Sequence, residues 1–401
     1  MWTTLRRTLL GAVVLLAAAI AVPFLVPMSH FIPELERIAS ARLKQPVSID
    51  ELRLHLVPTP KLAAAGISIG RRADVRIGEL EIVPELLSFV SGGPRSVRII
   101  RAARVELQPS VLRAGRKLPK GQGGEPILVK RVLLEQVRLH HAQWKLPQLD
   151  ADVELDEGLG RVQVLLQSRD GALRVQVQAS LRGEELELSS VEGELYGGTI
   201  AGSVRARLGN QKEVAGKATL AGVDLVPLQQ AFGKAASLSG RLKAEGIFAT
   251  TSDGLVLDAP FEVHGGAYQG VDLSRAGDSA DPPAQGGVTP FEELTGMLEV
   301  RGSQVRLSRL CVRSPKMVAG GSVEIGPERA LSGRLDVSVA KTGGFVGVPV
   351  SLGGTTAAPS LTPSKGYVIG AVIGTMLLPG IGTTLGASAG SRLEGVSPGC
   401  K

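Results

Sequence analysis

Residues 161–179 read RVQVLLQSRDGALRVQVQA, and they decide the fold. Val162, Val164 and Leu166 alternate with Arg161, Gln163 and Leu165. After the turn signal Arg169-Asp170-Gly171, Leu173, Val175, Val177 and Ala179 alternate with Arg174, Gln176 and Gln178. Neighbouring side chains on a strand point to opposite faces, so a period of two marks a strand with one buried face. Two such runs around a tight turn make a hairpin. The period continues outward in both directions. Leu52, Leu54 and Leu56 alternate with Arg53 and His55, and Leu298/Val300, Val305/Leu307 and Leu335/Val337/Val339 repeat the pattern later. Gly158-Leu159-Gly160, Gly197-Gly198, Gly265-Gly266 and Gly320-Gly321 read as further turns. Residues 47–340 are therefore expected to be antiparallel β throughout, with a short helix before them at residues 33–43 and few helix-period segments within, of which 225–232 is the best.

Composition bounds what such a sheet can pack against. Of 401 residues, 43% are hydrophobic and 21% charged, which excludes intrinsic disorder, and the 51 glycines show no G-X-Y period. Only 2 Trp, 3 Tyr and 8 Phe are present, so the apolar material is aliphatic. An aliphatic face needs a cover. A second sheet would supply it in a sandwich, although sandwich cores usually carry more aromatic volume. A sheet curled into a trough would keep the face as its inner wall, and periodicity alone leaves both open. The net charge of +7 is spread among acidic residues with few aromatics beside it, which argues against nucleic acid. Cys311 and Cys400 are too few for a disulfide framework and lack metal-ligand spacing.

The chain opens with Arg6 and Arg7, then the uncharged run TLLGAVVLLAAAIAVPFLVPM over residues 8–28. At 1.5 Å per residue this run reaches about 30 Å, the thickness of a bilayer core. With the arginines on its N-terminal side, the positive-inside rule keeps the N-terminus cytoplasmic and exports the remainder. Ala19-Ile20-Ala21 resembles a signal-peptide cleavage site, but the run continues through Phe24, Leu25 and Val26, which favours a retained anchor.

Several segments, in order, resemble the AsmA-like family of bacterial envelope proteins. Residues 31–70 carry a helix leading into a strand, with KQPVSID at 44–50 and PTP at 58–60; residues 75–108 carry a strand pair around PELL at 84–87. Residues 194–208 (ELYGGTIAGSVRARL), 221–225, 238–242, 265–273 and 288–294 are similar to the family's C-terminal module. The chain is shorter than better-known members between the two modules. The resemblance implies a mainly β fold: an N-terminal transmembrane helix, then an elongated, curved antiparallel β-groove with a few short helices. It implies an inner-membrane anchor at residues 8–28, a periplasmic body, and a groove that binds phospholipid or another envelope lipid. In this scheme 1–28 is the anchor, 29–150 and 151–275 are groove segments, and 276–290 is a flexible linker. Residues 291–353 close the module, and 354–401 form a Gly-rich tail. Val162, Val164, Leu166, Leu173, Val175, Val177, Leu298, Val300, Val305, Leu307, Leu335, Val337 and Val339 are the expected groove wall.

Two further features have competing readings. Gly366, Gly370 and Gly374, then Gly382, Gly386 and Gly390, recur every four residues around Pro379-Gly380. Small residues at this spacing let helices approach closely, either as a hairpin against the outer membrane or a partner (residues 366–390), or as a packed cap on the sheet. Arg113, Arg116, Lys117 and Lys120 would attract anionic headgroups, or form an ordinary solvated loop.

Enzymatic motifs lack their contexts. GISIG at 66–70 places Ser68 in an alternating strand, and GASAG at 386–390 places Ser388 with no His downstream. GIGTTLG at 380–386 has too little chain after it for a βαβ unit. The five histidines show no metal spacing, and His140-His141 would point to opposite strand faces. No catalytic residue, metal or cofactor is expected. The alternative to lipid transport is a non-enzymatic envelope assembly factor with a dry β-sandwich interior.

Overall fold

The computed structural model describes residues 28–56, 59–86, 88, 95–109, 127–142, 144–156, 160–207, 213–271, 285–315, 317–341, 344–355, 359–363 and 400. The chain divides into two compact units, Met1–Arg182 and Gly183–Lys401, a boundary set between a hairpin's end and the next strand. The protein is mainly β.

In the first unit a 3-10 turn (Met28–Phe31) leads into α1 (Ile32–Leu43). A proline stands in the first turn of α1, where a missing N–H costs nothing, and Lys44 ends it in the left-handed conformation. Eight strands follow: β1 (Val47–His55), β2 (Lys61–Ile69), β3 (Val75–Pro84), β4 (Ser96–Leu107), β5 (Leu128–Leu139), β6 (Leu149–Leu155), β7 (Val162–Ser168) and β8 (Leu173–Arg182). Each pairs with the next. The pairing is antiparallel except between β4 and β5, which run parallel, contrary to the expectation of antiparallel pairing throughout. Residues 108–127 between them are long enough for the crossover a parallel pair needs, whereas a hairpin needs only two to five residues.

The edge of β1 is protected by α1. Ser40 Oγ accepts from the Val47 N–H at 2.9 Å, and Glu36 Oε1 accepts from the Ile49 N–H at 2.7 Å. Those amides point away from β2 and would otherwise be a template for edge-to-edge association. Ile32 and Leu35 of the helix pack against Leu52, Ala64 and Ile67, so α1 covers the apolar face over β1 and β2 as well as the edge.

A line of irregularities crosses this sheet. Asp50, Gly66, Gly78, Arg104 and Gln136 are neighbours on β1 to β5, as the flanking registers place them. Gly66, Arg104 and Gln136 have φ of 64°, 54° and 57°, and the β5–β6 register shifts at this level. In each of the five strands the apolar spacing here is three instead of two: Ile49/Leu52, Ala64/Ile67, Ile77/Leu80, Ala102/Val105 and Leu134/Val137. A one-residue phase shift normally sends every following side chain to the other face. Because all five strands shift together, the apolar residues before and after the line share one face, as the joint packing of Leu52, Ala64, Ile67, Ile49 and Ile77 shows. Gly66 is required in β2: its left-handed backbone is strained for other residues, and an added Cβ would run into the Asp50 carboxylate.

The second unit contains β9 (Glu185–Leu195), β10 (Gly198–Arg207), β11 (Glu213–Asp224), β12 (Arg241–Thr251), β13 (Gly254–Val271) and β14 (Gln285–Arg301). It continues with β15 (Gln304–Ser314), β16 (Met317–Ile325), β17 (Leu331–Lys341), β18 (Gly344–Gly354) and β19 (Pro359–Pro363). Every strand pairs antiparallel with the next. The short helix α2 (Leu225–Ala231) follows β11, with the Asp224 carboxylate accepting from the Val226 N–H at 2.9 Å as its cap. Its Leu225 and Leu228 pack on Val263 and Phe291.

Two expected turns are strand interiors. Gly265-Gly266 lies inside β13 and Gly320-Gly321 inside β16. The pair in β13 admits a close approach instead: Leu238 bridges Tyr268, the Ser239 N–H donates to Ala267 O at 3.0 Å, and a Cβ on Gly266 would collide with the Ser239 carbonyl. Residues 285–290, read from sequence as the end of a linker, belong to β14.

Candidate functional site

Cross-strand partners share a face, so the registers trace what each face is made of. In the first unit one row runs through Leu54, Leu62, Ile82, Ile100, Val132, Val153, Val164 and Val177, one residue from each strand. The adjacent row runs through Leu52, Ala64, Leu80, Ala102, Leu134, Ala151, Leu166 and Val175. Both rows are aliphatic at every position. With strands about 4.8 Å apart, eight strands give a continuous apolar stripe roughly 35 Å long.

Most of this stripe is not closed over. Val162, Val164, Leu166, Leu173 and Val177 are half-buried, and so are Ile82, Ile100, Val132 and Val153. Full burial is reached at Leu52, Ala64 and Ile67, under or beside α1, and at Ala102, Val105 and Val175. Alternate residues of β8 are exposed, so the sheet has two distinct faces there.

The opposite face is a lattice of ion pairs. Lys61 Nζ lies 2.6 Å from Glu81 Oε1, Arg104 Nη2 lies 2.8 Å from Glu79 Oε1, and Arg131 Nε donates to Asp152 Oδ1 at 2.8 Å. The hydrogen bond from Lys61 holds the Glu81 carboxyl below the usual carboxylate range, and that from Arg131 does the same for Asp152. Glu85 is lowered by the Ser96 hydroxyl and then by Lys130. Arg131, Arg101 and Arg104 are thus engaged with carboxylates of this face, and Lys130 pairs with Glu85 beyond the end of β3. The candidates Arg113, Arg116, Lys117 and Lys120 lie outside the described residues.

The second unit repeats the separation. One row passes through Leu188, Val204, Gly216, Phe248, Leu257, Val300, Val305, Ile325 and Leu331. Another passes through Val223, Leu242, Val263, Leu294, Val312, Ala319 and Val337. Leu298, Val300, Val305, Leu307 and Leu335 are half-buried. Val337 is placed differently: with Met317, Ala319 and Val350 it forms a cluster of at most 2% exposure, packed by Tyr268 and Val312. The Val339 side chain lies outside the described residues. On the other side of the same strands Cys311, Gly320 and Pro349 are also buried. Here Cys311 is disulfide-bonded to Cys400, their Cα atoms 5.4 Å apart across 89 positions of sequence. Two cysteines, too few for a framework, make one clasp.

No family model, curated protein or solved structure matches the chain. The geometry of the face therefore carries the functional argument.

The other motifs fall as follows. Ser68 lies inside β2 between Ser48 and Arg76, away from any strand-to-helix turn. Ser388, the GIGTTLG stretch and residues 366–390 lie outside the described residues. Among the described residues no group of three His, Cys, Asp or Glu side chains is arranged to hold a metal. No described helix is long and apolar enough to cross a membrane, and residues 8–27 are outside the described set.

What the arrangement can do follows from its chemistry. A half-buried aliphatic stripe, with neither charge nor hydrogen-bonding side chain in its two rows, offers no directional contact. It gains from covering apolar surface, about 25 cal/mol per Å², whatever the shape of the cover. A flexible hydrocarbon chain satisfies that requirement and can lie anywhere along the row.

Proposed function

We propose that this is an AsmA-type protein of the bacterial envelope, anchored in the inner membrane by residues 8–28, which binds lipid acyl chains along its aliphatic face. In this reading it supports lipid transport and outer-membrane biogenesis from the periplasm, without enzymatic activity. The observation that carries it is the unbroken aliphatic row from Leu54 to Val177, half-buried over most of its length and backed by a face of ion pairs. Each methylene laid on such a wall contributes up to about 0.8 kcal/mol without a specific partner, so a chain can bind and still slide. The Cys311–Cys400 bridge supports an exported body, because structural disulfides persist in oxidising compartments. Residues 366–390 would then contact the outer membrane or a protein partner.

The test is to purify the full chain from membranes and extract it for lipid mass spectrometry. Stoichiometric phospholipid, with uptake of a labelled lipid, is the expected result; an empty protein that takes up none would overturn the reading. The second reading, a dry closed core serving envelope assembly, draws its support from the cluster around Val337. It predicts no lipid and no effect of polar substitutions along the first unit's row beyond loss of stability.

A further inference from the structure

Two sides of α1 are used within the first unit, and one is left over. Glu36 and Ser40 bond the edge of β1, while Ile32 and Leu35 pack on the apolar face over β1 and β2. At about 100° per residue, Ile38 lies about 160° around the helix from both Glu36 and Ser40, so it points away from that edge. It is 44% exposed. Phe31, within about 20° of Ile38 on the same helical projection, is 47% exposed. Neither side chain packs on the cluster of Leu52, Ala64 and Ile67. Arg42 stands one turn beyond Ile38 on this side, and Lys44 follows at the end of the helix. Both cations are exposed and make no ion pair among the described residues, whereas Arg37 is taken by Glu34 at 3.3 Å.

Large apolar side chains set at helical spacing outside a core mark a contact surface. What this one contacts follows from the chain that leads to it. Residues 8–28 are an uncharged run, and Met28 begins the 3-10 turn that enters α1. Met28 also packs on the Leu52 cluster, which ties the end of that run to the sheet. No spacer separates the proposed anchor from α1, so a bilayer holding residues 8–28 lies within reach of the leftover side. Apolar residues flanked by unpaired cations are the composition of a helix at a membrane surface, where the apolar groups enter the acyl boundary and the cations meet anionic phosphates.

We infer that α1 lies along the surface of the bilayer that holds residues 8–28, with Phe31 and Ile38 at the acyl boundary and Arg42 and Lys44 among anionic headgroups. The inference rests on the proposed anchor and adds an orientation to it. The edge bonded by Glu36 and Ser40 is on the side of the helix away from the bilayer, so the first unit's strands rise from the surface with β1 lowest and β8 highest. The aliphatic stripe then begins at the membrane. Leu54 and Leu62, the first two members of one row, are half-buried, and a lipid leaving the adjacent leaflet meets the stripe there.

The experiment places single tryptophans in the full chain carrying Trp2→Phe and Trp144→Phe. The protein is reconstituted in nanodiscs of phosphatidylcholine with or without phosphatidylglycerol, and bromine-labelled acyl chains serve as the quencher. Ile38→Trp probes the leftover side, and Leu181→Trp, at an exposed position of β8, controls for an aromatic added elsewhere. In anionic discs the Ile38→Trp emission should shift to the blue and fall about twofold, since an interfacial helix buries its apolar face at the headgroup–acyl boundary. Leu181→Trp should be unquenched. Adding Arg42→Gln/Lys44→Asn should weaken docking about thirtyfold in anionic discs and bring the quenching down to that in phosphatidylcholine alone. Equal quenching in the two compositions would overturn the role given to Arg42 and Lys44. An unquenched Ile38→Trp in chains that co-elute with the discs would overturn the inference and leave the anchor standing; a helix standing upright, with position 38 about 15 Å from Met28, would give that result. A blue-shifted but unquenched tryptophan would overturn it in favour of a protein surface, a second copy of this chain included. Quenching at both positions would overturn the rising sheet. Chains that separate from the discs would refute the anchor, and the inference with it.

Discussion

Strands β5–β8 of the first unit and β15–β18 of the second are written in the same aliphatic alternation, yet they differ in cover. On the first, Val132, Val153, Val164 and Val177 remain half-buried. On the second, Val337 and Val350 are no more than 1% exposed, and Cys311 and Pro349 are buried on the reverse side. Alternation fixes which way a side chain points but not whether anything lies over it. Cover comes from elements brought in from elsewhere in the chain, as α1 does over β1 and β2, or from a ligand. The difference therefore predicts two kinds of response to the same substitution.

The largest effect is expected from placing a charge in each region. Val337→Asp buries an unpaired carboxylate in a closed cluster and should cost about 4 kcal/mol or more, enough to unfold the second unit in a urea titration. Val177→Asp, on the half-open row, should cost about 1 kcal/mol and leave β content by circular dichroism intact. Comparable destabilisation by both would erase the distinction between closed and open regions. Next in size is the clasp. Cys400→Ser removes a crosslink spanning 89 positions and should lower the stability of the second unit by about 2–4 kcal/mol, with the first unit's transition unmoved. A third substitution probes the fold line of the open region: Gly66→Ala, at φ of 64°, should cost about 1–2 kcal/mol. Its readout is the urea midpoint, and a neutral result would mean the line is not constrained at Gly66.

The smallest expected effect is on acid stability. Glu81 and Asp152 have carboxyl groups held below their unfolded values by Lys61 and Arg131. Their contribution is present above the ordinary carboxylate range, near pH 4, and disappears as pH falls through the lowered folded values. Both pairs are partly exposed, so the loss should be small and should shrink further in high salt. Thermal scans of the first unit between pH 5 and pH 2 check the sign; greater stability at the acid end would contradict it.

Much of this was legible in the sequence, and the omissions have physical causes. Period-two runs identified the strands and their faces, and helical spacing located α1 and α2 to within a residue at each end. The fold line was also written there, as apolar spacing of three at Ile49/Leu52, Ala64/Ile67 and Ala102/Val105, but one irregular spacing looks like noise until five strands show it in register. The parallel β4–β5 pair was hidden because a strand's periodicity carries no direction. Gly265-Gly266 and Gly320-Gly321 were misread because glycine serves close backbone approach as readily as turns. The state of Val337 was equally hidden: cover is a tertiary property, and Val164 and Val337 look alike in sequence.

The most direct test of the central claim places a photo-crosslinking amino acid on alternating positions of one hairpin in membranes. Val164 and Val177 face the aliphatic row, and their neighbours Gln163 and Gln176 face the reverse side. The account predicts lipid adducts by mass spectrometry from positions 164 and 177, and few or none from 163 and 176. Adducts of equal yield on both faces, or none on either, would contradict it.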